Sequence, residues 1–412
     1  MKDFSFKART VLPPIYATTD AKTFETSLLR SKPRDKDNSM KRMENLKTRK
    51  EFLKALTLLG ASAALGSVYD CSGLDYGEES LRLRKTSTSN VSTDPKLELI
   101  RYATLAPSSH NSQPWKFSME DNTIRIFPDF SRRLPFVDPQ DRELYISIGC
   151  ALENLVVAAK ALGFESEVES FPKNEPKECI RIQLLKSKPV LNDPLFLAIP
   201  KRQSTRNEYD GKPVPSEDLK RLELDSKHSQ VRTVLFTDQN RMNPLVEWIR
   251  EGDRLQIAEE GYVVELKQWI RFNENEALRK GDGLLTLCNG GPSIPTWVGN
   301  ILFSLVLSGP SQAEADAKLA RSSSGFVVFV SEKDNRNDWI ETGRSFERWA
   351  LAATSKNIKC AFFNQPIEVP SIRAQLQTHL NVGKNFPQLV ARFGYSNPMP
   401  YSPRRSLQDI LL

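Results

Sequence analysis

"LAPSSHNSQPWKF", residues 105–117, is the stretch whose reading decides the fold. Two prolines, two adjacent serines, His110, Asn111 and Gln113 crowd against Trp115, between a helix-like run and a strand-like run. Either this is a helix stop whose polar groups satisfy one another, or it is a loop that offers them to a ligand. Before it, Asp94 suits an N-cap and Pro95 the first helical position. Leu97, Ile100 and Ala103 then recur at helical spacing, and Pro107 ends the run. After it, "NTIRIFPDF" alternates as a strand, with Ile124 and Ile126 on one face.

Further along, "YISIGCALENLVVAAKALGF" lines Ile148, Leu152, Leu155, Ala159 and Leu162 along one helical face, and Gly163 suits the C-terminal cap. "ECIRIQLL" is a second alternating strand. A second half begins near Leu197. There a basic cluster leads through turn residues into a helix expected to be capped by Ser216. Residues 240–280 read as largely helical. "GFVVFV" reads as a buried strand, residues 338–356 as a helix and "PQLVARFGY" as a last strand. An α+β pattern therefore occurs twice, as a tandem duplication would leave it. Between the helices, "GDGLLTLCNGGPSIPTWVGN" is a long glycine-rich loop. Loops of that length inside a domain are functional or merely irregular, and 281–300 is the candidate lid.

Three segments carry candidate chemistry: Pro107, Ser108, Ser109, Asn111 and Gln113; then Arg202, Ser204 and Arg206; then Arg404 and Arg405. If 202–206 is extended, its period of two points both guanidiniums and the hydroxyl one way. Forked, charge-assisted donors suit a phosphate. Taken alone, each arginine group reads equally as a solvated face.

Composition narrows the class. The 412 residues exceed one ordinary core, so two domains plus tails are expected. A hydrophobic share of 39% and a charged share of 26% fit a soluble globular chain. Much of the net charge of +7 lies in the first 54 residues, and no basic stripe interleaves with aromatics, so nucleic acid is not the expected partner. Five scattered cysteines and three distant histidines give no metal or disulfide spacing.

"TRKEFLK" followed by "ALTLLGASAALGSV" is a basic segment before a short apolar run, the pattern of an export signal. It resembles a twin-arginine signal, with Arg49-Lys50 where two arginines are usual. The expected organisation is an extension at 1–43, disordered or misassigned, a signal-like segment at 44–70, a linker at 71–94, and halves at 95–196 and 197–412. A cytoplasmic location is the alternative if 44–70 is only a short amphiphilic helix.

"APSSHNSQPWKF", "KRQSTR" and the ending "PQLVARFGYSNPMPYSPRRSLQDI" together resemble the nitroreductase family of FMN-binding flavoproteins, over roughly residues 95–412. The order departs from the common one, with the loop first and the arginines second, as if each half had kept a different half-site. That arrangement, and the wording of "ETGRSFERWALAATSKNIKCAFFNQPIEVPSIRAQL", is similar to the Acg-like branch. The resemblance implies two fused nitroreductase-like halves, each an antiparallel or mixed sheet packed on helices, forming an intramolecular pseudo-dimer. That would leave the chain a monomer, or a homodimer of such chains. It implies one FMN, held at the loop residues and by Arg202, Ser204, Arg206 and Arg404 or Arg405, with Trp115 anchoring the loop. It further implies NAD(P)H-dependent reduction of nitro or quinone-like compounds through flavin N5, or else a protein that only sequesters FMN beneath a lid. Twin-arginine export, which carries folded proteins, would suit a flavin carrier.

Overall fold

The structure is a computed structural model and describes residues 75–85, 94–227 and 231–412. Ser72–Leu412 forms one compact unit. The extension and the signal-like segment lie outside the described residues.

Two four-stranded antiparallel sheets share one strand order. The first contains β1 (Trp115–Glu120), β2 (Thr123–Pro128), β3 (Phe164–Ser170) and β4 (Ile180–Lys186), in the order β1-β2-β4-β3. The second contains β5 (Arg232–Phe236), β6 (Gly325–Ser331), β7 (Lys359–Phe362) and β8 (Phe386–Gly394), in the order β5-β6-β8-β7. The strand order thus recurs, although helices separate β5 from β6 and β7 from β8 where the first sheet has direct loops.

The longer helices, in chain order, are α1 (Tyr76–Arg82), α2 (Pro95–Ala103), α3 (Arg142–Ala161), α4 (Ser216–Ser226), α5 (Gln239–Ala258), α6 (Glu260–Trp269), α7 (Glu274–Lys280), α8 (Thr296–Val306), α9 (Gly309–Arg321), α10 (Arg336–Ser355) and α11 (Pro370–His379), with short helical turns at Pro194–Ala198, Gln365–Glu368 and Leu407–Ile410. Asp94 caps α2 as its sequence predicts, its side chain accepting from Lys96 N. Gly163, at φ +88°, follows α3 in the left-handed conformation that favours glycine. α3 is apolar nearly all round because nearly every residue in it is buried.

Two expectations differ. Pro215 occupies the N-cap of α4 and Ser216 is its first helical residue, so Ser216 makes no cap bond. The stretch read as a linker contains α1, which Asp75 caps through Gly77 N. Tyr76 donates its hydroxyl to the carbonyl of Tyr401, and Arg84 lies over the Tyr401 ring at 4.0 Å. Residues 75–85 are therefore a strap on the folded unit.

The two halves meet along α3 and α10, which cross at glycines. A Cβ added at Gly149 would overlap the carbonyl oxygen of Ile340, and one at Gly343 would overlap that of Ile146. Only glycine permits backbones this close. Cys150 Sγ reaches the Gly343 carbonyl at 3.2 Å beside the crossing. β6 is buried on both faces, which explains its unbroken apolar run. Val327 and Phe329 join Trp115, Phe117 and the α3–α10 core, while Phe326, Val328 and Val330 pack on α5, α9 and α11. After β8 the chain returns to the first half, where Leu412 N donates to the Phe117 carbonyl at 2.9 Å, beside β1.

Candidate functional site

The loop at 105–117 is built from backbone conformations that non-glycine residues rarely adopt. His110, Asn111 and Gln113 sit at φ +48°, +53° and +53°. Each costs on the order of 1–2 kcal/mol and persists only where surroundings enforce it. The Ser108 hydroxyl accepts from Gln113 N at 2.9 Å, which folds the loop on itself. Trp115 is fully buried behind it, the anchor expected of it.

Two other segments lock the loop. Asn111 Nδ2 donates to the carbonyls of Gly283 (3.2 Å) and Pro403 (3.1 Å). Gln113 Nε2 donates to Gly281 O at 2.8 Å, and its Oε1 accepts from Arg405 N at 2.9 Å. Arg404 donates to the carbonyls of Thr104, Leu105 and Ala106, and through Nη1 to Asn111 Oδ1 at 3.0 Å. Arg405 reaches Gln113 O at 3.1 Å and Asp409 O at 2.8 Å. Gly283, at φ +80°, brings the 281–283 turn against Trp269 O too closely for a side chain. Asp282, gripped by Arg132 and by Arg271 (2.6 Å), fixes that turn from behind.

The start of the candidate lid, residues 281–283, is thus part of the loop's support. The rest contains a two-residue parallel strand pair (Leu284–Leu285 with Ile270–Arg271), a 3-10 turn over Thr286–Asn289 and the first turn of α8. Phe303 and Leu307, at and just beyond the end of α8, face the cavity described next.

A cavity of about 630 Å³ opens on the cavity side of the loop. This lies within the size range of small-molecule and cofactor pockets. Pro107, Ser108, Ser109 and His110 form one wall, Ile146, Ser147 and Cys150 of α3 another, and Arg206, Phe362 and Leu389 of the second half a third. Of the ten residues read from sequence, Pro107, Ser108, Ser109 and Arg206 line it. Asn111, Gln113, Arg404 and Arg405 instead hold the loop in place.

The arginine motif divides. Ser204 bridges Cys360 at the edge of β7, so the segment is extended as expected. Arg202 is buried and paired with Glu347 at 3.0 Å, and it donates to Leu105 O at 2.8 Å. Arg206, among the described residues, has no ion pair or hydrogen bond and faces the cavity. Burial pulls its guanidinium below the ordinary arginine value. The three side chains do not converge on one point, because Glu347 and a loop carbonyl claim Arg202.

His110 belongs to the site although the motif treats its position as variable. Burial first, and then the Arg206 charge, push its imidazole down to about 4, so it is neutral at pH 7. Its Nδ1 is buried without a partner. The amides of Ser109 and His110 have no acceptor among the described residues. Arg84, from the strap, donates to the carbonyls of Pro200 and Arg202 (3.0 and 3.1 Å) and braces the arginine segment. No local pattern points to Glu347 or Arg84, since each acts on a residue more than a hundred positions away.

An unpaired guanidinium, a neutral imidazole and free amides on the wall of one cavity fit the phosphate and polar ring edge of a flavin nucleotide. No family model matches the chain. Over 329 residues it is 27% identical to Rv3131 of Mycobacterium tuberculosis strain H37Rv, provisionally named an NAD(P)H nitroreductase, covering 77% of this chain and 92% of that one. It is 24% identical over 336 residues to acg of the same strain, similarly named, covering 78% and 96%. A solved nitroreductase with bound FMN from Bacteroides fragilis aligns at 15% identity and a TM-score of 0.32, over 50% of this chain and 90% of that one. The chain is thus similar, over about three quarters of its length, to proteins provisionally named NAD(P)H nitroreductases.

Proposed function

We propose that the chain is an FMN-binding flavoprotein of nitroreductase type, with FMN in the 630 Å³ cavity. The observation that carries this reading is Arg206, an unpartnered guanidinium on the wall of that cavity. A half-buried cation on a pocket wall, without a counter-charge, is better stabilised when a ligand supplies one. Arg206 would neutralise the phosphate, and the backbone at 107–110 would meet the ring. Asn111, Gln113, Arg404 and Arg405 orient that backbone, and Phe303 and Leu307 exclude water. When bound, FMN supplies hydride and electron transfer, and the protein contributes binding, orientation and electrostatics. The names of the relatives support NAD(P)H as donor and a nitro compound as acceptor.

The test is an absorbance spectrum of the purified chain, then of the same sample with NADPH under anaerobic conditions. One FMN per chain that bleaches supports the enzyme. A flavin band that stays oxidised supports sequestration. No flavin after incubation with excess FMN overturns the reading. We also infer export through residues 44–70. Recovery of the chain only in the cytoplasmic fraction overturns that inference.

A further inference from the structure

Another part of the cavity wall is rich in carboxyls. Asp253, Asp316 and Glu368 line it together with Gln256, Gln365 and Tyr262. Gln365 Nε2 donates to both Asp253 Oδ1 (3.0 Å) and Asp316 Oδ2 (3.1 Å), so two carboxyls converge on one neutral amide. Gln256 Nε2 donates to Glu368. Among the described residues no lysine or arginine forms an ion pair with any of the three. The neighbouring cations are committed: Arg142 pairs with Glu143 at 3.0 Å, and Arg392 donates to the carbonyls of Leu319 and Asn207, both at 2.8 Å. Asp253 is only 4% exposed, yet its Oδ2 has no donor. The cluster therefore has more acceptors than donors, at the wall of a space large enough for a ligand.

We propose that this part of the cavity is a subsite for a cationic nitrogen, a protonated amine on an apolar body, bound between Asp253, Asp316 and Glu368. An ammonium brings the missing donors as well as the charge. A metal ion suits the place poorly, because the amide hydrogens of Gln256 and Gln365 already point at the carboxyls. Among the described residues no group of side chains has metal-binding geometry. Tyr262, Ile257, Leu266 and Phe303 supply apolar and aromatic walls for the body of the ligand. Without a ligand, protons do the neutralising. Burial, and then Asp316, raise the Asp253 carboxyl to about 8, and burial raises Asp316 and Glu368 as well, with Glu143 adding to Glu368. Asp253 and Asp316 face each other within hydrogen-bond reach, Arg392 and Tyr262 face that pair, and Arg142 and Glu143 face Glu368. Binding of the amine therefore releases a proton to solvent. The proposal names the substrate class of the site described above and rests on reading the cavity as a ligand pocket.

Calorimetric titration of the full chain with benzylammonium chloride, and with benzyl alcohol as the neutral counterpart, tests it. Repeating the titration in buffers of different ionisation heat counts released protons. The expected result is at least a tenfold preference for the ammonium, about one proton released at pH 7, and affinity rising about tenfold per pH unit from pH 6 to 7.5. Asp253→Asn and Asp316→Asn are expected to abolish the preference while the chain stays folded, with a melting temperature no lower than that of the parent. Equal binding of the alcohol, no ammonium binding, or a preference that survives both substitutions overturns the proposal. If a variant unfolds, the pH dependence of the unsubstituted chain decides. Flavin absorbance of the same samples separates the readings. Bound FMN without amine preference overturns this proposal alone, and absent FMN overturns the flavin reading alone.

Discussion

Arg404 Nη1 donates to Asn111 Oδ1 at 3.0 Å across 293 positions of sequence. The tail of the chain thus sets the shape of the loop that opens onto the cavity. The same guanidinium caps the end of α2 by taking the carbonyls of Thr104, Leu105 and Ala106.

Arg404→Ala is expected to cost at least about 1.5–3 kcal/mol, the worth of one charged hydrogen bond, since several are lost at once. Arg404→Lys restores little, because an ammonium cannot fork between the six oxygens that the guanidinium meets. Urea denaturation measures the cost, and flavin content of the purified variants reports the loop.

The two arginines of the 202–206 segment are expected to fail differently. Arg206→Ala removes no hydrogen bond or ion pair within the protein, so the melting temperature of flavin-free protein stays near that of the parent while FMN retention falls about 10-fold or more. Arg202→Ala leaves Glu347 buried without its cation and is expected to destabilise the fold by about 3–5 kcal/mol. Thermal unfolding of flavin-free samples, beside an FMN titration, checks both. Equal stability losses would contradict the division of roles.

Gly149→Ala and Gly343→Ala each place a methyl against a carbonyl of the facing helix. A loss of about 3 kcal/mol is expected from such overpacking of rigid backbones. Gly383→Ala is the control for exposed loop glycine, because nothing lies near its added Cβ, although its φ of +62° adds some strain. Chemical denaturation of the three variants orders them.

Asp253 also makes stability depend on pH. Its carboxyl has an ordinary value of 3.8 and is raised to about 8 in the fold. Between those values the folded chain holds a proton that the unfolded chain has lost. Its contribution therefore falls as pH rises through that window. Asp253→Asn is expected to flatten that decline, with the gain over the parent growing from pH 5 to pH 8. Glu347, raised to about 7, acts in the same direction. His110, lowered to about 4, acts oppositely between about 4 and 6.5, so the difference between variant and parent isolates Asp253. Parallel curves would mean that Asp253 is ionised in the folded protein.

Much of the fold was legible because it is written locally. The Asp94-Pro95 cap, the alternation of "NTIRIF" and the two-faced apolar run "GFVVFV" each state their own structure. Pro107, Ser108, Ser109 and Arg206 were legible through the motif's wording, whereas His110 was not. What escaped is tertiary. The amides of Asn111 and Gln113 look like ligand donors in sequence, yet they are spent on the backbone at 281–283 and 403–405. Arg202 looks like a phosphate donor until Glu347 arrives from α10. The acidic wall brings Asp253, Asp316 and Glu368 from three separate helical segments, and no spacing announces it.

The glycine crossing of α3 and α10 settles how the cavity answers to mass action. A pocket whose walls ride on separate polypeptides comes apart on dilution, since its survival depends on how often the pieces meet. Here Ser109 and Ile146 come from one half, Arg206 and Leu389 from the other, and a continuous backbone joins them. The walls remain at high effective concentration however scarce the molecule becomes.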